Sequence, residues 1–187
     1  MADGHFMNRE RFFRWNPYSS FLFFSLAVLA AGLLFVSPFL SLAVLLIGPA
    51  AEDYQTGYVD DRWSFLILAT GVIYGAVHRS LQEGFLSFIC VTLIYGVIFF
   101  ISKGKIGTGD IFLSAAVAFW LKPESVFFFI WGSCLVGAVS ASVLLFFYHY
   151  PKTYPFRFCP CIALGGLGAF VCQEICPAVF TARFCSF

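Results

Sequence analysis

Ten of the 187 residues are acidic, and two of them stand where a carboxylate is poorly solvated. Asp53 follows one long apolar stretch and Asp110 opens another, so each lies directly against an apolar helix. Ionisable groups so placed are costly, and functional candidates by default. Two carboxylates brought close cannot both ionise cheaply and come to share a proton. Such a pair can hydrolyse a peptide bond around a water molecule. The ionised member takes a proton from water, and the protonated member polarises the scissile carbonyl and helps protonate the leaving amine. A coupled pair titrates as a unit, so the sequence does not say which aspartate is the base. Asp110 ends the run Gly107-Thr108-Gly109-Asp110. Gly107 and Gly109 permit backbone conformations and close approaches that a side chain would block, and a helix N-terminus favours the ionised carboxylate. The plainer alternative makes Asp110 a helix N-cap and Asp53 a marker of the membrane interface.

These acids need a scaffold, and composition decides its class. Hydrophobic residues make up 60% of the chain and charged residues 11%, with a mean hydropathy of +0.88. Soluble domains carry roughly 25% charged residues, so this chain cannot cover a water-facing surface. A soluble enzyme, a secreted disulfide scaffold and a disordered tail are excluded, and a net charge of +1 gives no sign of a nucleic-acid partner. Apolar runs cover residues 18–51, 63–77, 85–101, 111–121, 126–148 and 159–179, with polar separators between them. Lone strands cannot satisfy their backbone in lipid, and barrel-type alternation is absent. The expectation is an all-α, polytopic transmembrane helix bundle. Residues 1–17 form a cytoplasmic N-terminal segment, and residues 18–187 a single transmembrane domain.

The first run, interrupted by Ser37-Pro38, is either one kinked helix, giving six spans, or two helices, giving seven. With seven spans and the N-terminus inside, Arg9, Arg11, Arg14, Arg62, Lys103, Lys105, Lys152 and Arg157 are cytoplasmic, and Arg79, Lys122 and Arg183 are outside. Six spans would leave five basic residues inside and six outside. The positive-inside rule favours seven. In that arrangement Asp53 and Asp110, 57 positions apart, share the cytoplasmic face.

Three stretches together resemble the type IV prepilin peptidases, the Gly-x-Gly-Asp class of membrane aspartic peptidases. Asp53-Tyr-Gln-Thr-Gly-Tyr-Val59 is similar to the family's first aspartate at the end of a span. Gly107-Thr-Gly-Asp110, with the small-residue-rich helix after it, resembles the second aspartate and is the most specific match. Pro155-Phe-Arg-Phe-Cys-Pro160-Cys-Ile-Ala-Leu-Gly-Gly166 looks like the family's approach to its last span. The resemblance runs from about Phe39 onward. It implies that Asp53 and Asp110 are catalytic, with Gly107 and Gly109 as supporting motif. It also implies cleavage of the basic leader of prepilin or pseudopilin substrates, at the cytoplasmic face of a bacterial inner membrane. The chain departs from the family in having Val59-Asp60-Asp61 where many members have Ile-Pro-Asn, and Phe112 where many have a lysine. It has no Cys-x-x-Cys pair of the larger members' cytosolic domain, so it looks like the short form, and N-methylation is not carried over.

No cofactor or metal is expected. Cys159-x-Cys161 and Cys172-xxx-Cys176 lack the usual zinc spacings, and an apolar cysteine in a membrane helix is normally a small hydrophobe. Cys176 and Cys185 could pair on an oxidising side. Trp15, Trp63 and Trp120 read as interface anchors. Gly71-xxx-Gly75 reads as a helix-packing pair. His5, His78 and His149 read as interface residues, and Glu174 as an accessory or outer-end acid. Asp60 and Asp61 rival Asp53, because a spacing of seven would put Asp60 on the same face if the helix continued. The competing class is a small polytopic transporter or structural membrane subunit that uses the same acids for ion passage or helix contacts. Transporters often show internal repeats, and none is apparent here.

Overall fold

A computed structural model describes residues 17–57, 59–78, 81–101, 107–146 and 157–175. Most of the N-terminal segment, with Trp15 and its arginines, lies outside these residues. So do His5, Arg79, Lys103, Lys105, His149, Lys152, Pro155-Phe156, Cys176, Arg183 and Cys185. The described residues form seven α-helices: α1 (Pro17–Leu34), α2 (Pro38–Thr56), α3 (Asp61–His78), α4 (Leu81–Ile101), α5 (Thr108–Ala118), α6 (Val126–Phe146) and α7 (Cys159–Ile175). A 3-10 turn, Pro123–Ser125, leads into α6, and no strand occurs among the described residues. Two segments, Leu81–Ile101 and Pro123–Phe146, are long and apolar enough to cross a membrane. Helices α5 and α7 are apolar but shorter.

The first apolar run is two helices. Ser37 is extended and its hydroxyl accepts the Leu40 N–H, while Pro38 occupies the first turn of α2, where its missing N–H costs nothing. Helices α1 and α2 then fold back as a hairpin, and the buried Ser41 hydroxyl donates to the Ala30 carbonyl at 2.9 Å.

Helix α5 is the axis of the bundle. Its residues from Leu113 to Ala118 are all buried, and it packs against α3, α4 and α7. The small side chains Ser114, Ala115, Ala116 and Ala118 let the neighbouring helices come close. On the outside, large apolar side chains such as Phe24, Phe65, Phe85, Phe100, Phe127 and Phe146 are exposed. A water-soluble monomer rarely carries apolar surface on that scale.

Helix α5 stops early, at Ala118, and residues 119–122 turn inside the bundle. Non-helical backbone at that depth survives only where protein satisfies it. Ser87 of α4 donates to the Leu121 carbonyl at 2.8 Å. Gln173 of α7 accepts the Lys122 N–H at 3.0 Å and donates to the Trp120 carbonyl. Trp120 is fully buried, donates its indole N–H to the Ile67 carbonyl at 2.9 Å and stacks on Tyr74. It is therefore a packing residue of the core and not an interface anchor. Trp63 is also buried (4% exposed), lying against Gly48 and donating to Glu52 at 2.8 Å. The Gly71–Gly75 pair makes room for the Trp120 and Phe119 rings of this turn, so aromatic side chains, not a second helix backbone, fill the space.

Candidate active site

Helix α2 runs past the apolar stretch that ends at Ala51 and carries Asp53 in its last turn. The turn is closed by Gly57, whose φ of +73° is left-handed and whose N–H donates to the Asp53 carbonyl at 2.9 Å. Only glycine takes this conformation without strain. The helix ending also separates the rival acids. Asp60 lies beyond the turn, is exposed and pairs with Arg62 at 3.3 Å. It does not share a helix face with Asp53. Asp61 is exposed at the start of α3.

Asp110 sits at the other kind of helix end. The N-cap of α5 is Gly107, so Asp110 is the third helical residue and not the cap. Its N–H donates to the Gly107 carbonyl at 3.2 Å. A side chain at position 107 would stand 3.5 Å from the Asp110 carboxylate. Gly107 has an ordinary backbone conformation (φ −65°), so its contribution is open space beside the acid. Gly109 faces the Val59 carbonyl, which brings the connection between α2 and α3 over the start of α5.

The N-terminus of α7 completes the constellation. Asp53 is only 6% exposed. The Cys159 backbone N–H points at its carboxylate, and the Arg157 charge lies nearby, with the guanidinium 5.2 Å from the centre of the Tyr54 ring. Asp53 Oδ2 is buried with no hydrogen-bond partner among the described residues. The Asp53 charge acts on Asp110, and both acids act on Cys159, so the fold brings both within electrostatic reach of one helix start.

Both carboxyls stand at helix ends, beyond the apolar stretches that stop at Ala51 and resume at Ile111. Burial raises both above the ordinary aspartate value. Asp110 is pushed up to about 6, first by desolvation and then by the Asp53 charge. At Asp53 desolvation is the larger cause, opposed by the Cys159 N–H and by Arg157. The ionised form is therefore better supported at Asp53 than at Asp110.

Sequence reasoning missed Arg157, the Cys159 N–H and Glu52 as neighbours of the acids. Glu52 accepts from both Trp63 and the Asp60 N–H (3.3 Å), tying the end of α2 to the start of α3. Arg157 and Cys159 were visible only as part of the third motif. Glu174 is exposed near the end of α7, away from this constellation. Among the described residues, no three His, Cys, Asp or Glu side chains gather as a metal-binding group.

Searches of curated proteins and of solved structures return no match. A family description matches residues 39–142, more than half of the chain, a segment that includes Asp53, Gly107, Gly109 and Asp110. The chain belongs to the type IV leader peptidase family.

Proposed function

We propose that this protein is a membrane-embedded aspartic endopeptidase. In this reading it removes the basic leader of type IV prepilin-like or pseudopilin-like proteins at the cytoplasmic face of a bacterial inner membrane. Asp53 and Asp110 are the catalytic pair. The observation that supports the reading is that these two acids, 57 positions apart in sequence, lie within electrostatic reach of one another and of the start of α7.

Catalysis follows from the environments of the two groups. Ionised Asp53, supported by the Cys159 N–H and Arg157, takes a proton from water. Asp110 carries the shared proton, polarises the scissile carbonyl, and helps protonate the leaving amine. The space beside Gly107 and Gly109 admits the substrate backbone. The substrate's own apolar helix remains in lipid while its leader junction reaches the acids, so a soluble domain is not required. The same reading gives seven crossings, with the N-terminus inside and the C-terminus outside.

The test is cleavage of a co-expressed prepilin-like substrate, read as a mobility shift, with membrane levels of each variant checked. Asp53→Asn and Asp110→Asn keep shape but remove the proton chemistry, and each abolishes cleavage. The double variant is little worse than either single one, because residues acting as a unit are not additive. Full activity in a well-expressed Asp110→Asn protein would end the peptidase reading and favour a transporter or structural subunit.

A further inference from the structure

Three buried hydroxyls below Asp110 are not used by this mechanism. Tyr95 of α4 is 3% exposed, and Ser114 of α5 and Ser133 of α6 are fully buried. Their oxygens find no hydrogen-bond partner of ordinary length and angle among the described residues. Several helical hydroxyls satisfy themselves one turn back. Thr70 donates to Leu66, Thr92 to Phe88 and Ser142 to Ala138, at 2.7–2.8 Å. Ser114 and Ser133 do not follow this pattern, and both come within longer hydrogen-bonding reach of the Tyr95 hydroxyl, one from α5 and one from α6. Gly165 of α7 closes the fourth side, since a Cβ there would collide with the Ser133 hydroxyl. Ser114 follows Asp110 by one helical turn and lies on the same face of α5, and the Asp110 carboxylate acts on Tyr95 electrostatically.

We infer that Tyr95, Ser114 and Ser133 form an internal hydration site that supports Asp110 from inside the bundle. Buried polar groups without partners are costly, and a buried water typically makes about three hydrogen bonds. Three convergent hydroxyls supply that number of partners. The bound water links the tyrosine to the face of α5 that carries the acid, which makes Tyr95 a positioning residue. The hydration site stands on the packing alone, while its part in cleavage rests on the peptidase reading.

Radiolytic hydroxyl-radical labelling of the full chain in lipid nanodiscs, read by mass spectrometry, tests the site without reference to activity. Bound water generates the label in place, so Tyr95 reacts severalfold faster than Tyr74, which is equally buried but stacked between rings. Equal rates at the two tyrosines would overturn the site. Replacing both serines by alanine should bring Tyr95 down to the Tyr74 rate, and unchanged labelling would refute the assignment to these hydroxyls. In the cleavage assay, Tyr95→Phe should lower kcat by about tenfold with KM unchanged, while Ser142→Ala leaves both unchanged. An unaltered kcat in Tyr95→Phe would remove the link to Asp110. Failure of the peptidase reading shows separately, as cleavage that survives Asp110→Asn.

Discussion

Replacing Asp110 by asparagine should stabilise this protein at neutral and alkaline pH while destroying its activity. An aspartate ordinarily titrates near 3.8, and burial with the neighbouring Asp53 charge holds Asp110 at about 6. Below about pH 4 the group is protonated in both the folded and the unfolded chain, and folding carries no penalty. Between the two values the unfolded chain releases its proton while the folded one keeps it. Above about 6 both are ionised and the cost of the buried charge is complete. At about 1.4 kcal/mol per pH unit, that cost reaches about 3 kcal/mol. Asp110 is partly exposed at its helix end, and solvent screening reduces the effect to about 1–3 kcal/mol. Asparagine removes the charge and keeps the shape. Unfolding in mixed micelles at pH 4, 6 and 8 should show Asp110→Asn more stable than wild type at pH 8, less so at pH 6 and not at pH 4. The gain should be smaller in an Asp53→Asn background, because the Asp53 charge is one cause of the shift. Cleavage should fall by at least about 10²-fold, the lower range for acid–base catalysis. A variant less stable than wild type at pH 8, or one with the same gain at pH 4 and pH 8, would refute the reasoning.

Gly57→Ala puts a Cβ into a left-handed helix ending and should cost about 1 kcal/mol in the same unfolding assay, with cleavage reduced because the last turn holds Asp53. Asp60→Asn and Asp61→Asn should retain cleavage, since both acids are exposed and outside the pair. Loss at Asp60 with activity kept at Asp53 would move the first catalytic position beyond the turn. Cleavage in detergent should persist with a strong chelator and gain nothing from added zinc, whereas a chelator-sensitive, zinc-rescued enzyme would overturn the aspartyl mechanism. Reporter fusions after Arg14 and after Phe187 should report opposite sides of the membrane, and both ends on one side would exclude seven crossings.

The sequence alone pointed to the helical class, because so few charges cannot cover a soluble surface and barrel-type alternation is absent. It identified the interruption at Ser37-Pro38, where a capping hydroxyl and a proline suited to a first turn stand together. It also singled out both aspartates, each being an acid against an apolar run. Counting crossings gave the expectation of a shared face, and the glycines before Asp110 pointed to an open helix start. Tertiary structure decided what surrounds them. Arg157 and the Cys159 N–H reach Asp53 from more than a hundred positions away. Trp63 and Trp120 are core residues, and Gly71 and Gly75 receive aromatic rings. Tyr95, Ser114 and Ser133 meet from three helices. The physical reason is common to all of these. In a soluble protein, the alternation of polar and apolar residues marks which side of a helix faces inward. Here α3, α4 and α6 are apolar almost all round, so lipid and protein compete for the same side chains. Which face turns inward is then set by small residues, scarce hydroxyls and the fit of aromatic rings, and those are properties of the packed bundle rather than of any one segment.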